Sequence, residues 1–180
     1  MITYNQTNAS CQIFTFKNGF LSSLAHDLKL QALKFEIKVT DSAQDSTIWK
    51  KINAVFEAAS IHTVCAMKNG KPAHQTLSSR DLRDIDWNTK TAVLRPAAFP
   101  DIAFRSKSIS SAPGGYLVTG ELTLCGITRA AMIPVRRMKK SYVVNTTLDQ
   151  RDFGITPFSA LMGAMQVKPE IRIRLELKNI

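Results

Sequence analysis

The chain has 180 residues, 44% of them hydrophobic, and carries a formal net charge of +10 at pH 7. One domain spanning residues 1–180 can bury an apolar core at this length without disulfide staples, and the three cysteines lack the CxxC spacing of a zinc knuckle or a disulfide framework. No apolar run is long enough for a signal peptide or for the roughly 18 residues that cross a bilayer, so we expect a soluble, cytoplasmic protein.

The first part of the chain predicts strands. The segments "CQIFTFKNG" and "DLKLQALKFEIKVT" alternate apolar and polar residues on either side of a loop at residues 19–26. In the second segment the apolar positions change from even to odd near Gln31 and Ala32, which is typical of a β-bulge. Two further strands are predicted at "IWKKINAVFEA" and "IHTVCAM".

One segment breaks the strand pattern. In residues 79–95 the apolar residues, Leu82 and Ile85 among them, recur at roughly helical intervals, and a proline follows. Ser78 or Ser79 can cap the first turn. The sequence therefore predicts one helix near residues 79–95, packed outside a sheet or covering one end of a barrel.

The second half predicts an up-and-down series of antiparallel strands. "DIAFRSKSIS" is followed by the turn signal Ser-Ala-Pro-Gly-Gly and then by "GYLVTGELTLCG", so these two strands should form a hairpin. "ITRAAMIPVRRM" contains Pro134, which cannot donate to a ladder and indicates an edge, a bulge or a strand end. "SYVVNTTLDQ" and "EIRIRLELK" complete the series.

Many short strands with one helix predict a mainly β fold, an extended antiparallel barrel of about eight strands. A barrel of that size is either filled by its own side chains or holds one small ligand. The strand at residues 115–126 has one apolar wall, whose members are Tyr116, Val118, Gly120, Leu122 and Leu124. Parity shows that these residues share a face, but not whether the face borders a core or a ligand.

Four motifs in order along the chain carry more information than periodicity does. They are "ASIHT" at residues 59–63, "FPDIAF" at 99–104, "GELTLCGIT" at 120–128 and "RDFG" at 151–154. Together they resemble the YceI-like family of lipocalin-like, polyisoprenoid-binding proteins. The resemblance implies a bacterial protein, often a homodimer, whose barrel encloses a long apolar tunnel for an isoprenoid or fatty-acyl chain.

This sequence departs from the family pattern in three ways. Many members are secreted, whereas this chain shows no signal peptide, and its helical insert is longer than in the simplest members. After "RDFG" it has "ITPFSALMGAMQVKP" instead of a short segment with a Gly-Asp-x-Val turn. The Met-rich residues 160–165 suit either a core plug or an adaptable apolar entrance, since methionine repacks easily.

The preferred hypothesis is a non-enzymatic carrier of a long apolar lipid, such as an isoprenoid quinone, a polyprenyl chain or a fatty-acyl derivative, with no other cofactor and no nucleic acid. We expect Gly120 to leave room for the ligand near the backbone, so that Gly120→Leu or Gly120→Phe would spare the apo fold and reduce loading. His26 is a candidate contact for the ligand's polar head, or a hydrogen-bonded loop histidine. The predicted ligand-binding residues are Ile102, Phe104, Tyr116, Val118, Gly120, Leu122, Leu124, Ile133, Phe153, Phe158 and His26.

Two alternatives stay open. The positive charge suits a barrel-type nucleic-acid-binding module, but few aromatic residues stand among the basic outer-face residues, such as Arg105 and Arg172. An enzyme would rest on His26 and Asp27, yet adjacent residues of a strand point to opposite faces. Three scattered histidines without a carboxylate cluster predict no metal site.

Overall fold

The computed structural model describes residues 1–18, 26–41, 49–160 and 165–178. The strands are β1 (Ile2–Tyr4), β2 (Ala9–Thr15), β3 (Lys17–Asn18), β4 (Asp27–Ala32), β5 (Phe35–Asp41), β6 (Trp49–Glu57), β7 (Ile61–Lys68), β8 (Lys71–Ala73), β9 (Asp101–Ala112), β10 (Gly115–Leu124), β11 (Ile127–Arg137), β12 (Ser141–Asp149), β13 (Ser159–Ala160), β14 (Met165–Val167) and β15 (Glu170–Lys178). The helical elements are α1 (Ser79–Asn88), a π-helical segment (Thr89–Leu94) and two 3-10 helices (Ala58–Ser60 and Gln150–Phe153). The predicted mainly β fold with one α-helix is confirmed.

Twelve strands form one large antiparallel sheet in the order β1-β5-β6-β9-β10-β11-β12-β15-β2-β4-β7-β8. The predicted hairpin of β9 and β10 is present, and its turn places Gly114 in the left-handed region at φ 76°. The short strands β13, β14 and β3 form a second sheet. None of the described helices is long and apolar enough to span a membrane.

Three pairs of consecutive strands connect the two ends of the large sheet. β1 and β2, β4 and β5, and β6 and β7 are each separated by only two to four residues, yet the members of each pair lie near opposite ends of the strand order. The chain itself therefore joins the ends, so the sheet surrounds one interior although its hydrogen-bonded order is not a closed ring. If each pair is counted as one bent strand, the twelve strands become nine, one of which is the three-residue β8, so the count exceeds the predicted number of about eight.

The predicted phase change near residue 31 corresponds to one of these bends. Leu30 is buried at an even position and Ile37 at an odd one, and Leu33 and Lys34 lie between β4 and β5. At this bend the ladder partner changes from β7 to β6. The apolar residues thus keep facing inward while the strand turns from one neighbour to the next.

The helix predicted near residues 79–95 is present over residues 79–94, in two hydrogen-bonding forms. A capping box starts α1: Ser78 Oγ accepts the N–H of Asp81 at 3.2 Å, and Asp81 Oδ2 accepts the N–H of Ser78 at 2.8 Å. After Asn88 the chain continues as a π-helix, which ends where Arg95 adopts a left-handed φ of 50°. Pro96 follows, in agreement with the expected stop.

Candidate ligand-binding cavity

A cavity of about 940 Å³ lies inside the large sheet. This volume is near the upper end of the roughly 300–1,000 Å³ that ligand pockets usually have. Most of its wall is aliphatic and comes from the inward residues of the long strands. Examples from seven strands are Ile13, Leu30, Ile37, Val118, Ile133, Val144 and Ile173.

The cavity shows which face of β10 points to the interior. Val118, Leu122 and Leu124 border it, so the apolar wall faces the interior space. On the opposite face, the hydroxyl of Thr119 lies 2.7 Å from that of Ser108 on β9. The strand therefore has apolar side chains on its cavity face and hydroxyl side chains that hydrogen-bond to each other on its outer face.

The cavity ends at an aromatic cluster. The indole of Trp49 borders the cavity and stacks on Tyr116, with ring centroids 4.9 Å apart; the ring of Tyr142 is tilted by 52° against the indole, with centroids 4.5 Å apart. Tyr4 is 1% exposed, and burial together with nearby Tyr142 raises the pKa of its phenol. We call these four residues the aromatic cluster; Trp49 is the member that borders the cavity.

Two predicted ligand contacts do not border the cavity. Tyr116 belongs to the aromatic cluster, behind Trp49. Gly120 is covered by the ring of Phe104: a Cβ at this position would lie 2.6 Å from Phe104 Cζ and would overlap the backbone carbonyl oxygen of Arg105. The ladder with β9 shifts register at this point, which brings the two backbones together. The prediction that Gly120 leaves room for a ligand is wrong, because Phe104 already fills that space.

At the other end α1 lies across the opening. Its inner side contributes Asp84, Ile85 and Asn88 to the cavity wall. The helix is attached to β7 by the N–H of Thr63, which donates to Asp86 Oδ1 at 2.6 Å. The position fits the predicted cover over one end of the barrel.

His26 borders the cavity at this open end, but its predicted partner does not. Asp27 Oδ1 accepts the N–H of Lys17 at 2.9 Å. His26 lies instead near Asp81, whose pKa is lowered by hydrogen bonds from Ser78 first and, more weakly, by this histidine. The structure therefore does not bring His26 and Asp27 together as an acid–base pair.

Besides its two ends, the cavity has a side opening between β11 and β12. The two strands form three residue pairs, between residues 135–137 and 142–144, and then separate. Residues 129–133 and 146–149 all border the cavity. Successive residues of a strand point to opposite faces, so both can border a space only where the strand edge meets it. We call this opening the β11–β12 cleft, and Pro134 lies where it begins.

Nine of the eleven predicted residues border the cavity: Ile102, Phe104, Val118, Leu122, Leu124, Ile133, Phe153, Phe158 and His26. That they contact a ligand stays a prediction. The pattern missed Trp49, Arg129 and the inner side of α1. Of the Met-rich segment, Ala160 and Met165 also border the cavity, whereas residues 161–164 lie outside the described part of the chain.

The described residues form neither a metal site nor a basic sheet face with exposed aromatic rings. Over the described residues, no group of three histidine, cysteine, aspartate or glutamate side chains could hold a metal ion. Among these residues Trp87, on α1, is the one large aromatic side chain that is exposed, and the basic strand residues lie elsewhere. Stacking on a basic, aromatic sheet face is therefore not supported.

A family model described as the YceI-like domain matches residues 4–179. The chain belongs to the YceI-like family. No curated protein matches it. Among solved structures this YceI-like protein is similar to BcnA of Burkholderia cenocepacia, with a TM-score of 0.66 and 15% identity over 96% of each chain.

Two further structures share the fold. The Campylobacter jejuni YCEI protein has a TM-score of 0.56 and 17% identity, over 92% of this chain and 91% of that chain. A polyisoprenoid binding domain from Saccharophagus degradans, implicated in plant cell wall breakdown, has a TM-score of 0.58 and 8% identity, over 98% of this chain and 95% of that chain. At identities this low, the structural similarity shows a common fold and nothing further.

Three of the four YceI-like motifs contact one another in three dimensions. A Cβ on Gly126 would lie 2.7 Å from the ring of Phe99, and a Cβ on Gly154 would lie 2.9 Å from Cδ1 of Ile127. Both glycines also adopt left-handed φ angles, 77° and 66°. These three motifs of this YceI-like protein therefore share a physical basis: close packing of turns beside the cavity.

Proposed function

We propose that this protein binds one long apolar molecule, an isoprenoid quinone, a polyprenyl chain or a fatty-acyl derivative, and carries or sequesters it without chemical change. The observation that supports this most directly is the aliphatic cavity of about 940 Å³ that ends at the aromatic cluster. Polar groups are concentrated at its open edges, as in Asp84, Arg129 and Asp152. A ligand with an apolar tail and a polar head matches that distribution.

The size of the cavity is sufficient for useful affinity. Each buried methylene contributes about 0.8 kcal/mol, so about fifteen of them would contribute roughly 12 kcal/mol. Association costs an estimated 4–15 kcal/mol in lost freedom of motion, so the longer the buried tail, the more of that cost it offsets. The similar Saccharophagus degradans domain, named for polyisoprenoid binding, supports the ligand class.

Carriage rather than catalysis is supported by the arrangement of titratable groups. General acid–base chemistry needs donor and acceptor within hydrogen-bond reach of the substrate. Asp27 accepts a backbone N–H of Lys17, and only His26 of that pair borders the cavity. We also propose a cytoplasmic location and a homodimer, which cell fractionation and analytical ultracentrifugation test directly.

Native mass spectrometry of the purified protein, compared with its organic-solvent extract, tests the proposal. We expect a bound species that disappears after delipidation and returns on incubation with a long-chain lipid or quinone. At a free ligand concentration of about 100 times Kd, binding stabilises the fold by about 2.7 kcal/mol. That corresponds to roughly 5–11 °C in melting temperature for a chain of this size. If delipidated, folded protein takes up nothing from a broad panel, the proposal fails.

A further inference from the structure

The β11–β12 cleft exposes backbone groups that none of the described strands covers. Just before β10, the carbonyl of Gly114 accepts the N–H of Arg137 at 2.7 Å. Backbone groups along a strand point alternately to its two neighbours, so the even-numbered residues of β11 point toward β12. Pro134 provides no N–H there, and the amides of Ala130 and Met132 have no ladder partner in the described chain.

One fixed positive charge, that of the solvent-exposed Arg129, lies beside this cleft at an inward position of β11. Arg129 borders the cavity and pairs with Leu122 of β10, itself a cavity residue. Among the described residues that border the cavity, it is the one lysine or arginine. Its Nη1 donates to the carbonyl of Thr128 at 3.3 Å, and no ion pair within the described ranges includes it. Most of its five N–H donors thus remain available.

The acidic groups at the same opening differ in their availability. Asp149 is bound by Arg151, with Oδ2 to Nη2 at 2.6 Å, and this hydrogen bonding lowers the pKa of the carboxyl. Asp84, across the opening on α1, lies 3.8 Å from Arg80. Asp152 also borders the cavity; it forms no ion pair in the described part of the chain, although the neighbouring Arg151 interacts with it electrostatically. We therefore expect Asp152 to be the acidic residue that competes with a ligand for Arg129.

We propose that the β11–β12 cleft holds the polar head of the bound molecule and that Arg129 binds an acidic head group there, a carboxylate or a phosphate. The tail then lies in the cavity toward Trp49. The unpaired amides of Ala130 and Met132 supply further donors for the oxyanion. This inference rests on the proposed function and narrows its ligand class to long-chain acids.

The test compares oleic acid with oleyl alcohol, two probes that share a tail and differ in the head, by titration calorimetry on the delipidated full chain. Wild type should bind the acid about three- to tenfold more tightly than the alcohol, the range for a charge-assisted contact partly screened by water. Arg129→Gln should remove that preference and leave the affinity for the alcohol unchanged. Arg136→Gln, an exposed arginine of the same strand that does not border the cavity, is the matched control and should change neither affinity.

Further variants and probes separate the outcomes. Asp152→Asn should strengthen binding of the acid in the wild-type background, which keeps the inference testable even if Arg129→Gln does not fold. Hexadecyl phosphate should respond as oleic acid does, whereas inorganic phosphate alone should not shift the melting temperature. The inference is overturned if Arg129→Gln weakens acid and alcohol equally, if it changes neither, or if inorganic phosphate stabilises as much as the amphiphile. If wild type binds neither oleyl probe nor any other long chain, the proposed function itself has failed.

Discussion

Ala131→Leu should fill part of the cavity and weaken ligand binding without unfolding the apo protein. Ala131 borders the cavity at an inward position of β11, next to the β11–β12 cleft, and is partly buried. Leucine has three more carbon atoms than alanine. If they displace three ligand methylenes at about 0.8 kcal/mol each, binding weakens by about 2.4 kcal/mol, or roughly 50-fold in Kd.

The matched control is Ala103→Leu. Ala103 is partly buried on β9 but lies on the outer face, where its ladder partners are Thr123 and Val55. The same added carbons there should not change the affinity for the ligand. Titration of the delipidated protein with one long-chain probe gives the affinities, and thermal melts of the apo proteins report the fold.

Two results would refute the reasoning. Equal loss of affinity in both variants would mean that the added bulk acts through the fold and not through the cavity. Alternatively, the apo Ala131→Leu protein could lose about 1–3 kcal/mol of stability, the usual cost of overpacking. Its melting temperature would then fall by roughly 2–12 °C, and the interior would be a packed core and not a binding space.

Three other predictions follow from the contacts described above. Gly120→Ala should destabilise the apo protein by about 1–3 kcal/mol, because the new Cβ meets Phe104 and a backbone carbonyl; a melt as high as that of wild type would contradict this. Ser78→Ala should weaken α1 by about 0.5–2 kcal/mol, so hydrogen exchange should quicken in the helix and stay unchanged in β10. Burial raises the pKa of Cys11 from 9.0 to about 12, so above pH 9 the unfolded chain loses this proton first and stability falls by about 1.4 kcal/mol per pH unit. Urea titrations from pH 8 to 11 should show that the free energy of unfolding falls more steeply with pH in wild type than in Cys11→Ala. If the two proteins lose stability in parallel, the raised pKa of Cys11 is ruled out.

Strand parity predicted the cavity wall well because it depends on a local property, the alternation of side chains. Parity does not give a residue's position along the long axis of the space that the sheet surrounds, which we call its height. Tyr116 and Val118 share a face and are both buried, yet one stacks on Trp49 and the other borders the cavity. Height depends on how β10 is offset against its neighbours, and the spacing of apolar residues in one strand carries no such information.

Gly120 shows a second limit of the sequence. A glycine in an apolar strand is compatible with an open space or with a close approach of another group. In the first case a larger residue spares the apo fold, and in the second it destabilises it. The ring that covers it comes from Phe104 on another strand, at a register shift that is set by both strands together. Only tertiary structure distinguishes the two cases.

Arg129 was available to sequence reasoning and was missed. It shares its parity with Ala131, Ile133 and Val135, so a charge stands on an otherwise apolar face. A charged residue at an inward position is costly unless it reaches water or a partner, which makes it informative. The separation of β11 from β12 beyond Pro134 is the reason it can be there, and that separation is not visible in the pattern of one strand.

If the proposed ligand binds with its tail toward the aromatic cluster, Trp49 limits the length of tail that the cavity can bury. Each added carbon of a tail gains contact until the tail reaches the indole of Trp49; beyond that length the surplus must stay outside, in water. Affinity should therefore rise with chain length and then level off, and the length at which it levels off would report the depth of the cavity. Short acids would be discriminated against, whereas molecules longer than the limit would compete on nearly equal terms.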